Sequence, residues 1–259
     1  MVPTIRKLEG KVAIVTGGSR GIGEGIVKKF AEEGAYVVIN YTSSNKQAEA
    51  LVEEITSNGG KAIAVQADIG TLDGPQKIVD AAVSAFGKID IVVNNAGVSG
   101  QNPLGTITEE SFEKIQNVNV RGPLFLVQAA FPHIQEYGRI INITSVAARA
   151  ATPGLTIYGA SKASLESMSR YWATEFADKN VTSNSINPGP VSTDMMNNFL
   201  ASIPKEQSDA LVQELQSKAI FKRVATPVDI ATVASFLASP DSQWITGDVL
   251  SANGGMILL

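Results

Sequence analysis

The sequence predicts one doubly wound α/β domain, a parallel sheet of about seven strands with helices on both faces. Two observations predict it. Short β-branched runs alternate with segments of helical periodicity from the first strand onward, the pattern of parallel strands joined by right-handed helical crossovers. The 259 residues contain no linker, internal repeat or low-complexity segment that would divide them, and 44% hydrophobic residues supply a single large core.

The elements follow in order. "KVAIVT" (Lys11 to Thr16) reads as the first strand, and a helix runs from about Ile22 to Glu33, ended by Gly34. "AYVVINY" is the second strand, followed by a helix around Lys46 to Ser57 that stops at "NGG". "KAIAVQAD" is the third strand, and "PQKIVDAAVSAFG" a helix leading to the fourth, "IDIVVNN". A long helix is expected around Glu109 to Phe131, then strand "GRIINITS", a helix from about Tyr158 to Asp178, and strand "VTSNSINP". A mostly polar stretch, Asp194 to Lys222, interrupts the alternation before a helix from Pro227 and a short strand near "GDVLSA".

Composition excludes several function classes. A net charge of −4 opposes general attraction to nucleic acid or anionic membrane. No apolar run is long enough to span a bilayer, and "MVPTIRKLEG" lacks a signal-peptide core, so a cytoplasmic protein is expected. Zero cysteines exclude disulfides, thiolate metal sites and a cysteine nucleophile. Asn40, Asn142 and Asn180 begin N-x-[ST] matches, which without a secretory signal are taken as chance. His133, the only histidine, excludes a multi-histidine metal site, and no metal is expected; its place near a helix end is ordinary for a partly exposed residue.

"VTGGSRGIG" (Val15 to Gly23) admits two incompatible chemistries. Gly17-Gly18-Ser19-Arg20-Gly21 fits G-x-S-x-G, which presents a nucleophilic serine, while Gly17, Gly21 and Gly23 fit a glycine turn that cradles a phosphate. The hydrolase reading needs strands ahead of the turn, for which the chain leaves no room, and a histidine on a loop at a strand end, whereas the sole histidine, His133, falls in a helical segment. The cradle reading has its context of strand, turn and helix, with backbone N–H groups and the helix dipole facing a pyrophosphate. The spacing is G-x-x-x-G-x-G, and the glycines alone are also compatible with packing.

"TGGSRGIG", "NNAG" at 94–97, Tyr158-Gly-Ala-Ser-Lys162 and "NPGPVST" at 187–193 stand in one order along the chain. In these motifs the sequence resembles the short-chain dehydrogenase/reductase family over about residues 8 to 255, which implies a Rossmann-type dinucleotide fold. The resemblance implies Tyr158 as general acid, Ser145 as hydrogen-bond donor to the substrate oxygen, Lys162, and Asn119 supporting a proton-relay water, with Asn117 a near rival. Tyr158 and Lys162 are four apart, hence on one helix face, and a protonated lysine there would lower the phenol pKa from about 10. Each residue also has a plainer reading, as surface tyrosine and lysine or as strand-end serine. By the same resemblance Gly17, Ser19, Arg20, Gly21, Ile22 and Gly23 form the cofactor turn, with Asn95, Ala96 and Gly97 beside it. Asp68 lies near adenine unless it merely caps a turn. Pro188, Gly189, Val191, Thr193 and Lys162 hold the nicotinamide end.

The cofactor is expected to be NADP(H). No carboxylate follows the second strand to accept ribose hydroxyls; Asn40, Tyr41 and Ser43 stand there, with Asn40 and Ser43 expected to supply neutral donors to a 2′-phosphate, and Arg20 can reach that phosphate unless it is only a solvated turn residue. Met195, Met196, Phe199, Leu200 and Ile203 form either an adaptable apolar lid or an anchor for their helix. "HIQEYG" and "WATEFADKN" offer little basic surface to an acidic acyl carrier, which favours a free apolar ketone over a 3-oxoacyl thioester; "VVINYTSS" resembles reductases of aromatic polyketides. A homotetramer, or a dimer, built on the helices at 109–131 and 158–178 and the last strand is implied by the family. The rival from another class is a dinucleotide-binding protein with idle catalytic residues.

Overall fold

The structure is a computed structural model describing residues 6–258. Strands β1 (Val12–Val15), β2 (Tyr36–Tyr41), β3 (Lys61–Gln66), β4 (Ile89–Asn94), β5 (Ile134–Ile143), β6 (Thr182–Pro188) and β7 (Val249–Ala252) form one parallel sheet. Its order is β3-β2-β1-β4-β5-β6-β7, so the chain reverses direction of travel between β1 and β4. Ligands of open α/β sheets bind at that switch point, beyond the carboxyl ends of the strands. Alternate residues of β1 and β2 feed two cores: Ala13, Val15, Val37 and Ile39 face α1 (Gly21–Glu32) and α9 (Pro227–Ala238), while Ile14 and Val38 face the other layer. A two-sided burial explains why these strands read as continuous apolar runs.

Helices α2 (Asn45–Ser57) and α3 (Gly74–Phe86) lie close to their expected bounds. The helix expected at 109–131 is instead three pieces: α4 (Glu109–Gln116), a π-helical turn (Asn117–Arg121) and α5 (Gly122–Ala130). Gly122 N–H reaches back five residues to the Asn117 carbonyl, and Pro123 has no N–H to continue the ordinary ladder. Strand β5 begins at Ile134, four residues earlier than expected, with a register shift against β4 absorbed where Tyr137 takes φ 59°. His133 therefore lies in the turn before β5, at the edge of the sheet opposite the site.

Helix α6 (Thr156–Glu175) starts two residues earlier than expected, placing Tyr158 in its first turn. The interrupting stretch folds as α7 (Asp194–Ala201) and α8 (Lys205–Lys218), neither of which buries a residue. A bridge between Val191 and Ala225 closes the base of this excursion, with Ser192 N–H donating to the Ala225 carbonyl at 2.8 Å. Among the described residues no helix is long and apolar enough to cross a membrane.

Candidate active site

The glycine turn is built by steric necessity. Gly17 and Gly21 take φ of 60° and 58°, the left-handed region that favours glycine. A Cβ on Gly23 would stand 2.2 Å from the Gly17 carbonyl oxygen, so only glycine lets α1 begin this close to the turn. Asn95 fastens the turn to the fourth strand: its Nδ2 donates to the carbonyls of Thr16 (2.7 Å) and Gly17 (3.1 Å). Thr16 Oγ1 accepts from the N–H groups of Asn95 and Ala96, both at 3.0 Å. The first N–H groups of α1 are left facing outward with no side-chain cap, the arrangement that binds a pyrophosphate. The residues present thus fit a dinucleotide.

Ser19 is buried at 5% exposure and the single histidine lies at the far edge of the sheet, so no serine–histidine pair exists for ester hydrolysis. Ile22 is half-buried in the first turn of α1. Arg20 is exposed, extended at φ −159°, and its side chain caps nothing. Ser43 is exposed in the bend after β2.

Two of the expected cofactor side chains, those of Asn40 and Tyr41, are engaged inside the protein. Asn40 is buried, and its amide donates to the carbonyls of Val65 (3.3 Å) and Ala67 (2.9 Å) while its Oδ1 accepts from Gly17 N–H at 3.4 Å. Both amide protons are therefore spent inside the protein, and the expectation that Asn40 donates to a ribose phosphate is corrected. It supports the turn from below, because alternate residues of a strand face opposite sides. Tyr41 is buried in the core with its hydroxyl on Asn45. Asp68 is exposed, and its Oδ1 accepts from Gly70 N–H at 2.8 Å, the turn-capping arrangement.

On the other side of the switch point, the ends of β5 and α6 bring Ser145, Tyr158 and Lys162 together. Ser145 is extended, its Oγ accepting from Ala147 N–H at 3.1 Å. Lys162 is 3% exposed; its Nζ donates to the Ile143 carbonyl at 2.8 Å and lies 5.9 Å from the centre of the Tyr158 ring. Burial pushes the lysine down to about 8. The Tyr158 phenol does not show the expected lowering. Burial pushes it above its ordinary value, and the neighbouring Ser145 hydroxyl offsets only part of that. The physical reason is that removing water penalises tyrosinate directly, whereas the ammonium faces a carbonyl and the ring.

Asn119 is fully buried in the π-helical turn. Its side chain clasps Val98, accepting from the N–H and donating to the carbonyl, each at 2.9 Å, and also donates to Ser161 Oγ at 3.0 Å. Pro123, four residues on, has no N–H for the Asn119 main-chain carbonyl. Asn117 makes no comparable contact with Val98 and is only half-buried. Gly97 approaches this group closely: a Cβ there would lie 3.1 Å from Lys162 Nζ. At the end of β6 Pro188 is buried, and beyond it Gly189 packs on Asn253, Val191 forms the bridge, and Thr193 caps α7. Thr193 Cγ2 would lie 3.3 Å from a Cβ on Gly21, so this loop borders the glycine turn. Thr16 stands inside the glycine motif without a role assigned to it by the sequence, and the proline in "NVNVRGP" is the one sequence feature that foretells the offset helix. Among the described residues no group of side chains is suited to hold a metal ion.

The family model described as Enoyl-(Acyl carrier protein) reductase matches residues 17–257. Short-chain dehydrogenase/reductase FrzI of Cladobotryum sp. is 46% identical over 253 residues, 95% of this chain and 96% of that protein. Hydroxynaphthalene reductase-like protein Arp2 of Metarhizium guizhouense is 39% identical over 263 residues, 98% and 97% of the two chains. A blue fluorescent protein from a metagenomic library, solved in complex with NADPH, superposes with TM-score 0.89 at 39% identity, covering 97% of this chain and 100% of that one. The angucycline C-6 ketoreductase LanV with bound NADP gives TM-score 0.88 at 35% identity, covering 96% of each. Fold and site define a nicotinamide dinucleotide-binding oxidoreductase. The chain belongs to the short-chain dehydrogenase/reductase family.

Proposed function

We propose that this protein is an NADPH-dependent carbonyl reductase acting on a free, apolar ketone of aromatic or polyketide-like type. The observation that carries the reading is the convergence of two hydroxyls, Ser145 and Tyr158, above the buried Lys162 at the carboxyl edge of the sheet, with the glycine turn alongside. Two O–H donors meeting at one point suit a single oxygen atom on which charge develops.

Bound NADPH supplies the hydride to the carbonyl carbon. Ser145 donates a hydrogen bond to the carbonyl oxygen, and Tyr158, whose phenol is held protonated by burial, transfers its proton to that oxygen as the alkoxide forms. Lys162, held by Ile143, would hold the cofactor ribose, and Asn119 would support a proton-relay water that returns the proton. Arg20, exposed at the start of α1, would hold the 2′-phosphate. NADP(H) in two of the similar solved structures, and the ketoreductase and hydroxynaphthalene reductase-like descriptions of the relatives, support this choice of cofactor and substrate class. Exposed apolar side chains on α4, α5 and α6, among them Phe112, Leu124, Phe125 and Tyr171, and Trp244 before β7, support a homotetramer built on those surfaces.

The test is NADPH oxidation at 340 nm over aromatic, bicyclic and acyl-thioester carbonyl substrates. Turnover of an aromatic or bicyclic ketone that Tyr158→Phe reduces by about 100- to 10,000-fold, with cofactor affinity retained, is expected. Turnover confined to the thioesters would replace the substrate class, and binding of NADPH without any turnover would favour an idle site.

A further inference from the structure

A carboxylate outside the reacting group is buried beneath it. Glu166 is 5% exposed and accepts from Asn187 Nδ2 (3.1 Å) on Oε1 and Arg149 Nε (3.0 Å) on Oε2, with Thr144 Oγ1 at 3.2 Å from Oε1 sharing its single proton with the nearer Ile186 carbonyl at 2.9 Å. A buried carboxylate is costly unless so compensated, and removing one partner leaves the others unmatched. Each donor bears on Ser145. Thr144 precedes it in the chain and Arg149 follows it by four residues. The amide of Asn187 reaches both the Ser145 carbonyl, at 2.8 Å, and the Glu166 carboxylate. The same Asn187 leads into Pro188 at the end of β6.

Glu166 also stands four residues after Lys162 and eight after Tyr158 on α6, so the three fall near one face of one helix. We propose that Glu166 is a positioning residue that ties the Tyr158–Lys162 face of α6 to Ser145 and the β6 end, setting the separation of the two hydroxyls that act on the substrate oxygen. The distance between those hydroxyls is a relation between β5 and α6, and Glu166 is the charged group that joins both to β6. Displacing a reacting group by a fraction of an ångström costs rate while leaving the binding of distant groups unchanged. This inference rests on the reductase reading above.

The experiment compares wild type, Glu166→Gln, Arg149→Ala and the double variant under single-turnover conditions with saturating NADPH and a ketone accepted by wild type, with Tyr158→Phe as control. In Glu166→Gln one oxygen becomes an N–H donor, so either Arg149 or the Thr144–Asn187 pair meets a donor in place of an acceptor. The hydride-transfer rate per folded molecule is expected to fall at least about ten-fold in Glu166→Gln and in the same direction in Arg149→Ala, with NADPH Kd within about two-fold and a double variant no slower than the poorer single. Arg149, at the more exposed end of the cluster, reads the same connection if Glu166→Gln does not fold. Rates within two-fold of wild type in the folded single variants, alongside an inactive Tyr158→Phe, overturn the positioning role alone, as do lowered melting temperatures with unchanged rates or strictly additive losses. No turnover of any ketone by wild type overturns the reductase reading and this role with it.

Discussion

The ammonium of Lys162 donates to the main-chain carbonyl of Ile143 at 2.8 Å within a site that leaves the lysine 3% exposed. Burial brings its pKa from 10.5 to about 8. Between those values the unfolded chain binds a proton that the folded chain has released, so stability rises with pH across that window. The unfolding free energy of wild type minus that of Lys162→Met, in cofactor-free protein, is expected to climb by up to roughly 3 kcal/mol from pH 8 to 10.5. Urea titrations at several pH values measure it. A difference that stays flat over this range contradicts the burial of the ammonium. The variant is also expected to lose turnover.

Arg20 and Asn40 predict opposite behaviours. If Arg20 reads the 2′-phosphate as proposed, Arg20→Ala is expected to weaken NADPH by about 10- to 150-fold while barely affecting NADH. Equal losses for both cofactors, measured by fluorescence titration, would show that Arg20 does not read the phosphate. Asn40→Asp sets a carboxylate against the carbonyls of Val65 and Ala67 that the amide now serves. Its expected effect is a loss of roughly 2 to 5 kcal/mol of stability, with no switch toward NADH in the folded fraction. A stable variant that prefers NADH would refute this account.

Gly23→Ala is expected to abolish dinucleotide binding. The new methyl must displace the Gly17 carbonyl, 2.2 Å away, or push the start of α1 outward, and the Asn95 amide at 2.6 Å blocks the alternative path. Overpacking of this kind costs about 1 to 3 kcal/mol, so the fold should survive with a lowered melting temperature. Near-normal NADPH affinity in the variant would mean that the turn is not the cradle.

The α7–α8 excursion is expected to govern substrate choice more than stability, because no residue of either helix is buried and its base is closed independently by the Val191–Ala225 bridge. Replacing Met195, Met196 and Phe199 together by alanine should change KM or the ranking of ketones several-fold and move the melting temperature by no more than about 2 °C. A large thermal loss with unchanged kinetics would assign these side chains to anchoring.

Much of the architecture is legible in local patterns. β-Branched runs alternating with helical periodicity predict a parallel sheet, and the glycines of 17–23 with Tyr158 and Lys162 four apart locate both halves of the site, since each depends on neighbours in sequence. The break inside 109–131 was open to the same kind of reading, because Pro123 has no N–H to give Asn119, but hydrophobic periodicity alone runs straight through it. What the chain order could not decide is which of several adjacent polar side chains faces the cofactor. Asn40 and Arg20 look equally available in sequence; only the packing of β2 between β1 and β3 spends the Asn40 amide on Val65 and Ala67 and leaves Arg20 in solvent. Likewise Glu166 reads as one more polar position on a helix until the ends of β5 and β6 bring Thr144, Arg149 and Asn187 onto it. Hydrogen bonds between segments many residues apart depend on strand register and helix docking, and those are settled by burying the whole core at once.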